Sequence, residues 1–381
     1  MKKFPKNLQQ KLDERQRDQA LRTLGLWSSE KIDFSSNDYL GFSKNTDLFA
    51  QNHAFLKANH YTTNGATGSR LLSGNHPLYA LTEKYIAAFH QSEAALIFNS
   101  GYDANVGFLS SVPQRGDVVL YDELCHASIR DGLRLSHAKS YKFAHNDYED
   151  LEKQLETHSA QPTNIYIITE SVFSMDGDAP NFEELVRLSE KYNAYLVVDE
   201  AHALGVFGNQ GEGLLQSQQL HSKVFARIVT FGKGLGCHGA AVLGNAELIA
   251  YLVNFARSFI YTTGLSPHSI ASILKAYEYL ATQPQTLIEL QTNIAFFNQY
   301  KMQLGLKPMF VYSKSAIQCA IIPGNQKVKN IAQQLQEKGF EVKPILSPTV
   351  PEGQERLRIC LHSYNSQQQM TALLNGLLSL L

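Results

Sequence analysis

One lysine, Lys233, stands among four glycines in the stretch VTFGKGLGCHG, from Val229 to Gly239. A primary amine held by side-chain-free backbone can be a solvated loop lysine between two strands, a phosphate-binding loop, or a Schiff-base nucleophile for an aldehyde cofactor that carries a phosphate. The phosphate-loop form needs G-x-x-x-x-G-K-[ST]; Arg227 stands at its first glycine and Gly234 follows the lysine, so that form is absent. Asp199 follows the apolar run AYLVV directly and belongs at a strand terminus with little water. A carboxylate there needs a cationic or N–H partner, and a protonated pyridine nitrogen is one. The plainer reading is an aspartate that starts a turn. His126 opens ASIRDGLRLS either as a helix cap or as a flat ring against an aromatic cofactor. Gly101 and Tyr102 begin a helix-like stretch whose free amides suit a phosphate, and Ser174 and Thr230 are candidate hydroxyl donors. Each of these is also readable as an ordinary turn or loop group.

These residues share one placement. AALIF (94–98), VVLY (118–121), NIYIIT (164–169), AYLVV (194–198), FARIVT (225–230) and AAVLG (240–244) are short apolar runs, and helix-length segments such as HPLYALTEKYIAAF and APNFEELVRLSEKY lie between most of them. Such alternation predicts an α/β fold: a mostly parallel central sheet with helices on both faces. Polar groups just past the strands then converge beyond their carboxyl ends, where open sheets bind ligands. From about Ser266 the rhythm shifts to long helices, then AIQCAII, FEVKPI and RLRICL around one helix, which reads as a smaller C-terminal α+β domain. The expected division is an N-terminal helical arm over 1–43, a large cofactor domain over 44–270 and the C-terminal domain over 271–381.

Composition narrows the function. In 381 residues, 34 basic side chains face 35 acidic ones, which advertises neither a nucleic-acid nor an acidic-membrane partner. Cys125, Cys237, Cys319 and Cys360 are scattered, with no metal-ligand spacing, so no metal is expected. The polar NLQQKLDERQRDQ stands where a signal peptide would have its apolar core, and a cytoplasmic protein is expected. DEAH (199–202) also resembles the box of nucleic-acid-dependent ATPases, but those enzymes need the phosphate loop that this sequence lacks.

Together, SNDYLG (36–41), GSRLLSGN (68–75), CHAS (125–128), TESVFSMDGD (169–178), DEAH (199–202), TFGKGLG (230–236) and SPTVP (347–351) resemble the α-oxoamine synthases, pyridoxal-phosphate enzymes of fold type I. The resemblance implies pyridoxal 5′-phosphate as cofactor and a homodimer with shared sites. It implies Lys233 as the Schiff-base lysine, Asp199 as partner of the pyridine nitrogen, His126 as the stacking ring and His202 near the phenolic oxygen. Gly101, Tyr102, Ser174 and Thr230 match cofactor contacts, and Thr263 matches a phosphate ligand donated across the dimer. Arg22 and Thr349 match substrate contacts, Asn37 lies beside the amino-acid site, and Arg358 matches the clamp on its carboxylate, with Arg356 as the alternative. The reaction implied is decarboxylative condensation of an amino acid with an acyl thioester on coenzyme A or a carrier protein, with L-alanine and a pimeloyl chain favoured. Relatives that use glycine or serine, an aminotransferase, and an aldehyde-binding regulator are the alternatives. Leu346 and Ser347 stand where many members carry an arginine, which alters recognition of the acyl chain's far end or shifts it to Arg22 or Lys343.

Overall fold

A computed structural model describes residues 3–18, 20–22, 24, 30–159 and 163–381. Its strands are β1 (Ile32–Asp33), β2 (Ala94–Phe98), β3 (Val118–Asp122), β4 (Lys139–Phe143), β5 (Ile165–Glu170), β6 (Tyr195–Asp199), β7 (Ala226–Thr230), β8 (Ala240–Gly244), β9 (Ile317–Ile321), β10 (Phe340–Glu341), β11 (Lys343–Ile345) and β12 (Arg356–Cys360). The central sheet runs in the order β2-β8-β7-β6-β5-β3-β4. β3, β4, β5, β6 and β7 are parallel, and β8 is antiparallel to both β2 and β7.

Why these strands read as unbroken apolar runs is visible in their packing. Leu196 and Val198 of β6 join one hydrophobic cluster with Leu78, Ile86, Leu185 and Leu188. Val197, between them, joins a second cluster with Ala104, Phe108, Ile129 and Leu133. Alternate residues of a strand face opposite sides, so a sheet covered by helices on both faces must be apolar at every position. The covering helices follow from pattern and caps. In Phe182–Lys191, Phe182, Leu185, Val186 and Leu188 form the buried stripe, and the Asn181 side chain accepts from the Glu184 amide at the start.

β4 escapes the apolar pattern. Its sequence KSYKF is exposed at all but Phe143; it is one of the sheet's two edge strands, and its lysines discourage pairing with another sheet. The C-terminal sheet has the order β11-β12-β9, and β1 pairs in parallel with β10, which ties a strand within the expected 1–43 arm to the C-terminal part. The helix Pro267–Thr282 contains the expected 270/271 division, and it packs on the helices Thr46–Ala58 and Leu78–Phe89. No helix among the described residues is long and apolar enough to cross a membrane.

Candidate active site

Because β2, β3, β5, β6 and β7 share one direction, their carboxyl ends lie along one edge of the sheet. There they surround a cavity of about 290 Å³, whose walls include Asn37, Gly101, Tyr102, His126, Asp199, His202, Thr230 and Lys233. Eight residues singled out from the sequence thus meet in one place.

The Lys233 Nζ lies 2.9 Å from His202 Nε2, and His202 Nδ1 lies 2.7 Å from the hydroxyl of Tyr39. Lys233 is only half-buried along its chain, but its amine is enclosed, and burial drives it down to about 8 against the pull of Asp199 and Glu170. Burial, helped by the cations Lys233 and Arg358, holds His202 well below the usual histidine range, so it is neutral. The glycine-rich loop is explained by its own packing. Gly236 has φ +59°, and a Cβ there would lie 2.2 Å from the amide nitrogen of Ser43. That glycine lets the lysine loop fold against residues 42–43 rather than opening room at the amine.

Asp199 is 6% exposed. Its Oδ2 accepts from the Asn105 side-chain amide at 2.7 Å and its Oδ1 from the Ala201 amide at 2.9 Å. Asp199 therefore does begin a turn, and among the described residues it has no ion-pair partner. His126 likewise fills both roles weighed from the sequence. Its Nδ1 accepts from the Ser128 amide at 3.2 Å at the start of the helix Ala127–Leu135, while its ring lines the cavity. Burial lowers its affinity for a proton.

Gly101 opens the helix Gly101–Ser111, and the Ser100 hydroxyl accepts from the Asp103 amide. The amides of Gly101 and Tyr102, in the first turn, have no intrahelical acceptor. A Cβ on Gly101 would lie 2.5 Å from Thr230 Cγ2, so this helix end and the end of β7 approach only because residue 101 is glycine.

The remaining candidates are not in the lining of this cavity. Arg358, 8% exposed, donates from Nη2 to Asn37 Oδ1 at 3.0 Å and from Nε to the Ser174 carbonyl at 2.8 Å. It has no carboxylate partner among the described residues. Arg356 is committed elsewhere: it is ion-paired with Asp176 and donates to the Gln354 carbonyl. Ser174 is half-buried and outside the cavity lining. Thr263 is exposed, and its carbonyl accepts from the Asn99 side-chain amide at 2.7 Å. Thr349 is exposed at a neighbouring cavity of about 300 Å³ with Arg130, Met175 and Arg356. Arg22 is exposed and lines neither cavity.

Asn105, Glu170 and His238 also line the cavity without having been singled out, and Tyr39 supports it from behind. Asn105 lies one turn beyond Gly101 on the same helix face, a spacing that signals it. Tyr39 is inside SNDYLG, and its phenol is buried behind His202. Glu170 ends β5 and accepts from the His126 amide at 2.5 Å. Burial beside Asp199 pushes its carboxyl up to about 8. His238 lines the cavity from the loop before β8.

The donor set fits a phosphorylated pyridine aldehyde: an enclosed amine of lowered pKa, a buried carboxylate without a cation, and free helix amides in one cavity. Comparison with known proteins agrees. The model of aminotransferase class I and II matches residues 29–377. The 8-amino-7-oxononanoate synthase of Emericella nidulans is 41% identical over 393 aligned positions, covering 97% of this chain and 95% of its own. The crystal structure of 8-amino-7-oxononanoate synthase from Francisella tularensis superposes with a TM-score of 0.78 at 28% identity, over 92% of this chain and 97% of that one. Serine palmitoyltransferase from S. paucimobilis with bound PLP and myriocin gives 0.90 at 25% identity, over 100% and 98%. The chain belongs to the aminotransferase class I and II family, on its α-oxoamine synthase branch.

Proposed function

We propose that the protein condenses L-alanine with a pimeloyl thioester to 8-amino-7-oxononanoate, with pyridoxal 5′-phosphate as its cofactor. The carrying observation is the Lys233 amine, enclosed 2.9 Å from neutral His202, in one cavity with the unpaired carboxylate of Asp199. When bound, the cofactor's protonated ring takes up the electron pair left on the amino acid's Cα.

In this reading Lys233 Nζ would hold the cofactor's aldehyde carbon, and its amine would be the base that takes the Cα proton and later returns it. Asp199 keeps the ring nitrogen protonated, and Asn105 fixes the orientation of that carboxylate. The flat ring of His126 would hold the cofactor's ring, and His202 would donate or accept a hydrogen bond at its oxygen. The amides of Gly101 and Tyr102 and the hydroxyl of Thr230 receive the phosphate. Ser174 adds a polar contact at the cofactor's edge, and Thr263 reaches the phosphate of a second copy in a homodimer. Arg358 and Asn37 hold the amino-acid carboxylate, while Arg22 and Thr349 face the acyl donor. Over the cycle the bond from Cα to the acyl carbon forms, the thioester C–S bond breaks to release thiol, and the bond from Cα to the carboxylate breaks to release CO2. Such a biosynthetic enzyme belongs in the cytoplasm.

Serine palmitoyltransferase superposes more closely than the Francisella synthase, so backbone likeness alone favours a serine and long-chain reading. The 41% identity to an 8-amino-7-oxononanoate synthase, against 25%, favours alanine and a pimeloyl chain. The test pairs the holoenzyme with alanine, glycine or serine and with pimeloyl, acetyl, succinyl or palmitoyl thioesters, reading CO2 and thiol release. Alanine with pimeloyl is expected to turn over fastest; a preference for glycine with a short acyl group, or serine with palmitoyl, overturns the substrate assignment.

A further inference from the structure

A second cavity, of about 330 Å³, lies at the C-terminal end of the helix Pro284–Gln303 and shares no lining residue with the cavity of Lys233. Lys301, Lys307, Lys314, Phe310 and Tyr312 are among its walls. Lys301 is 5% exposed, an extreme position for a lysine. Its Nζ donates to the neutral side chain of Gln318 at 2.6 Å and lies 4.9 Å from the centre of the Phe310 ring. Among the described residues none of the three lysines pairs with a carboxylate. Burial holds the Lys301 ammonium down to about 8. The last turn of its own helix favours this cation, but with an amide, a ring face and no carboxylate among the described residues it is only partly compensated, and a fold keeps such an arrangement at a cost unless an anion completes it.

The surroundings say which anion. Ammonium groups act as compact point charges with rotatable donors, which suits the three-fold oxygens of a phosphate; a site for a planar carboxylate is better served by an arginine fork, and this one has none. Tyr312 is 70% exposed at the rim and offers a ring face to a flat partner. We infer that this cavity binds a nucleoside phosphate, with Lys301 against the phosphate from within, Lys307 and Lys314 at the mouth, and Tyr312 against the base. That chemistry has two sources, a free nucleotide or the nucleotide end of a coenzyme A thioester. Val311 lines both this cavity and the one that holds Thr349, which brings the second source within consideration.

The test is calorimetric titration of the holoenzyme with adenosine 3′,5′-bisphosphate. Binding is expected in the wild type and should weaken at least about tenfold both in Lys301→Met and in the double variant Lys307→Ala/Lys314→Ala, each lost charge contact being worth roughly that factor. The double variant changes only exposed side chains, so the result holds even where Lys301→Met does not fold. Absent binding at millimolar bisphosphate, or equal binding in the double variant, overturns the site. Where binding is found, competition with pimeloyl-coenzyme A assigns the site to the donor, and binding that leaves the KM for that thioester unchanged assigns it to a free nucleotide. The titration needs no turnover, so its outcome is separate from that of the proposed condensation.

Discussion

A lysine amine ordinarily keeps its proton to about pH 10.4, and only the neutral form attacks an aldehyde. Enclosure brings Lys233 down to about 8, so the neutral form becomes available near physiological pH. Capture of pyridoxal phosphate by the cofactor-free protein, followed by its visible absorbance, should accelerate with rising pH and level off above about 8; continued acceleration to pH 10 would mean that the amine is not perturbed. Lys233→Ala should show neither the absorbance nor turnover. Two arginines on β12 separate binding from structure. Arg358 has no carboxylate partner among the described residues, so Arg358→Ala should raise the KM for alanine about a hundredfold while leaving the cofactor absorbance intact. Arg356→Ala should instead leave Asp176 buried without its cation and cost roughly 3 kcal/mol of stability, measured by urea unfolding. The reverse pattern would exchange their roles. From the sequence the two were indistinguishable, because residues two apart on a strand share a face; what separates them is Asp176, contributed by a loop some 180 positions earlier.

At the scale of elements, the loop that follows β5 is held by an ion-pair chain that the sequence did not reveal. His145 Nδ1 lies 2.9 Å from Asp122 Oδ1, and Nε2 lies 2.8 Å from Asp178 Oδ2. Burial works against the charge, but the two carboxylates outweigh it and push the imidazolium up to about 10. The folded state therefore holds this proton more tightly than the unfolded chain, whose histidine titrates near 6.5. Its stabilisation is complete below pH 6.5 and is lost as pH rises toward 10. His145→Gln should lower the thermal midpoint clearly at pH 6 and hardly at all at pH 10, and equal losses at both would show a contact without linkage. The same loop carries the Ser174 carbonyl that orients Arg358, so the variant should also raise the KM for alanine. Main strands were legible in advance because both sheet faces are covered, which writes them as apolar runs; β4 and the His145 bridge were not, because β4 is exposed at all but Phe143 and so has no such run, and a pair joined across distant loops has no local spacing.

For the whole molecule, the proposed homodimer predicts a face that a second copy would cover. Leu72 is 85% exposed and Tyr261 73%, and the loops that carry them are joined by the bond from the Gly264 amide to the Gly68 carbonyl at 2.9 Å. Apolar side chains gathered on one exposed loop pair beside a site fit a face that a second copy covers. Thr263 lies on this pair and outside its own chain's cavity lining; its proposed service to a partner's phosphate is open to direct test. A shared site makes a sharp prediction. Lys233→Ala and Thr263→Asp should each be inactive alone, the first without its nucleophile and the second with a carboxylate against the phosphate. In a mixed dimer, one site inherits both lesions and the other inherits neither. Unfolding and refolding the two variants together in equal amounts makes about half the dimers mixed, so about a quarter of the wild-type sites should return. Activity no greater than that of the separate variants would place Thr263 in its own chain's site or in none. Recovery near a quarter, with absorbance returning in the same proportion, would fix both the dimer and the direction in which its two chains share their chemistry.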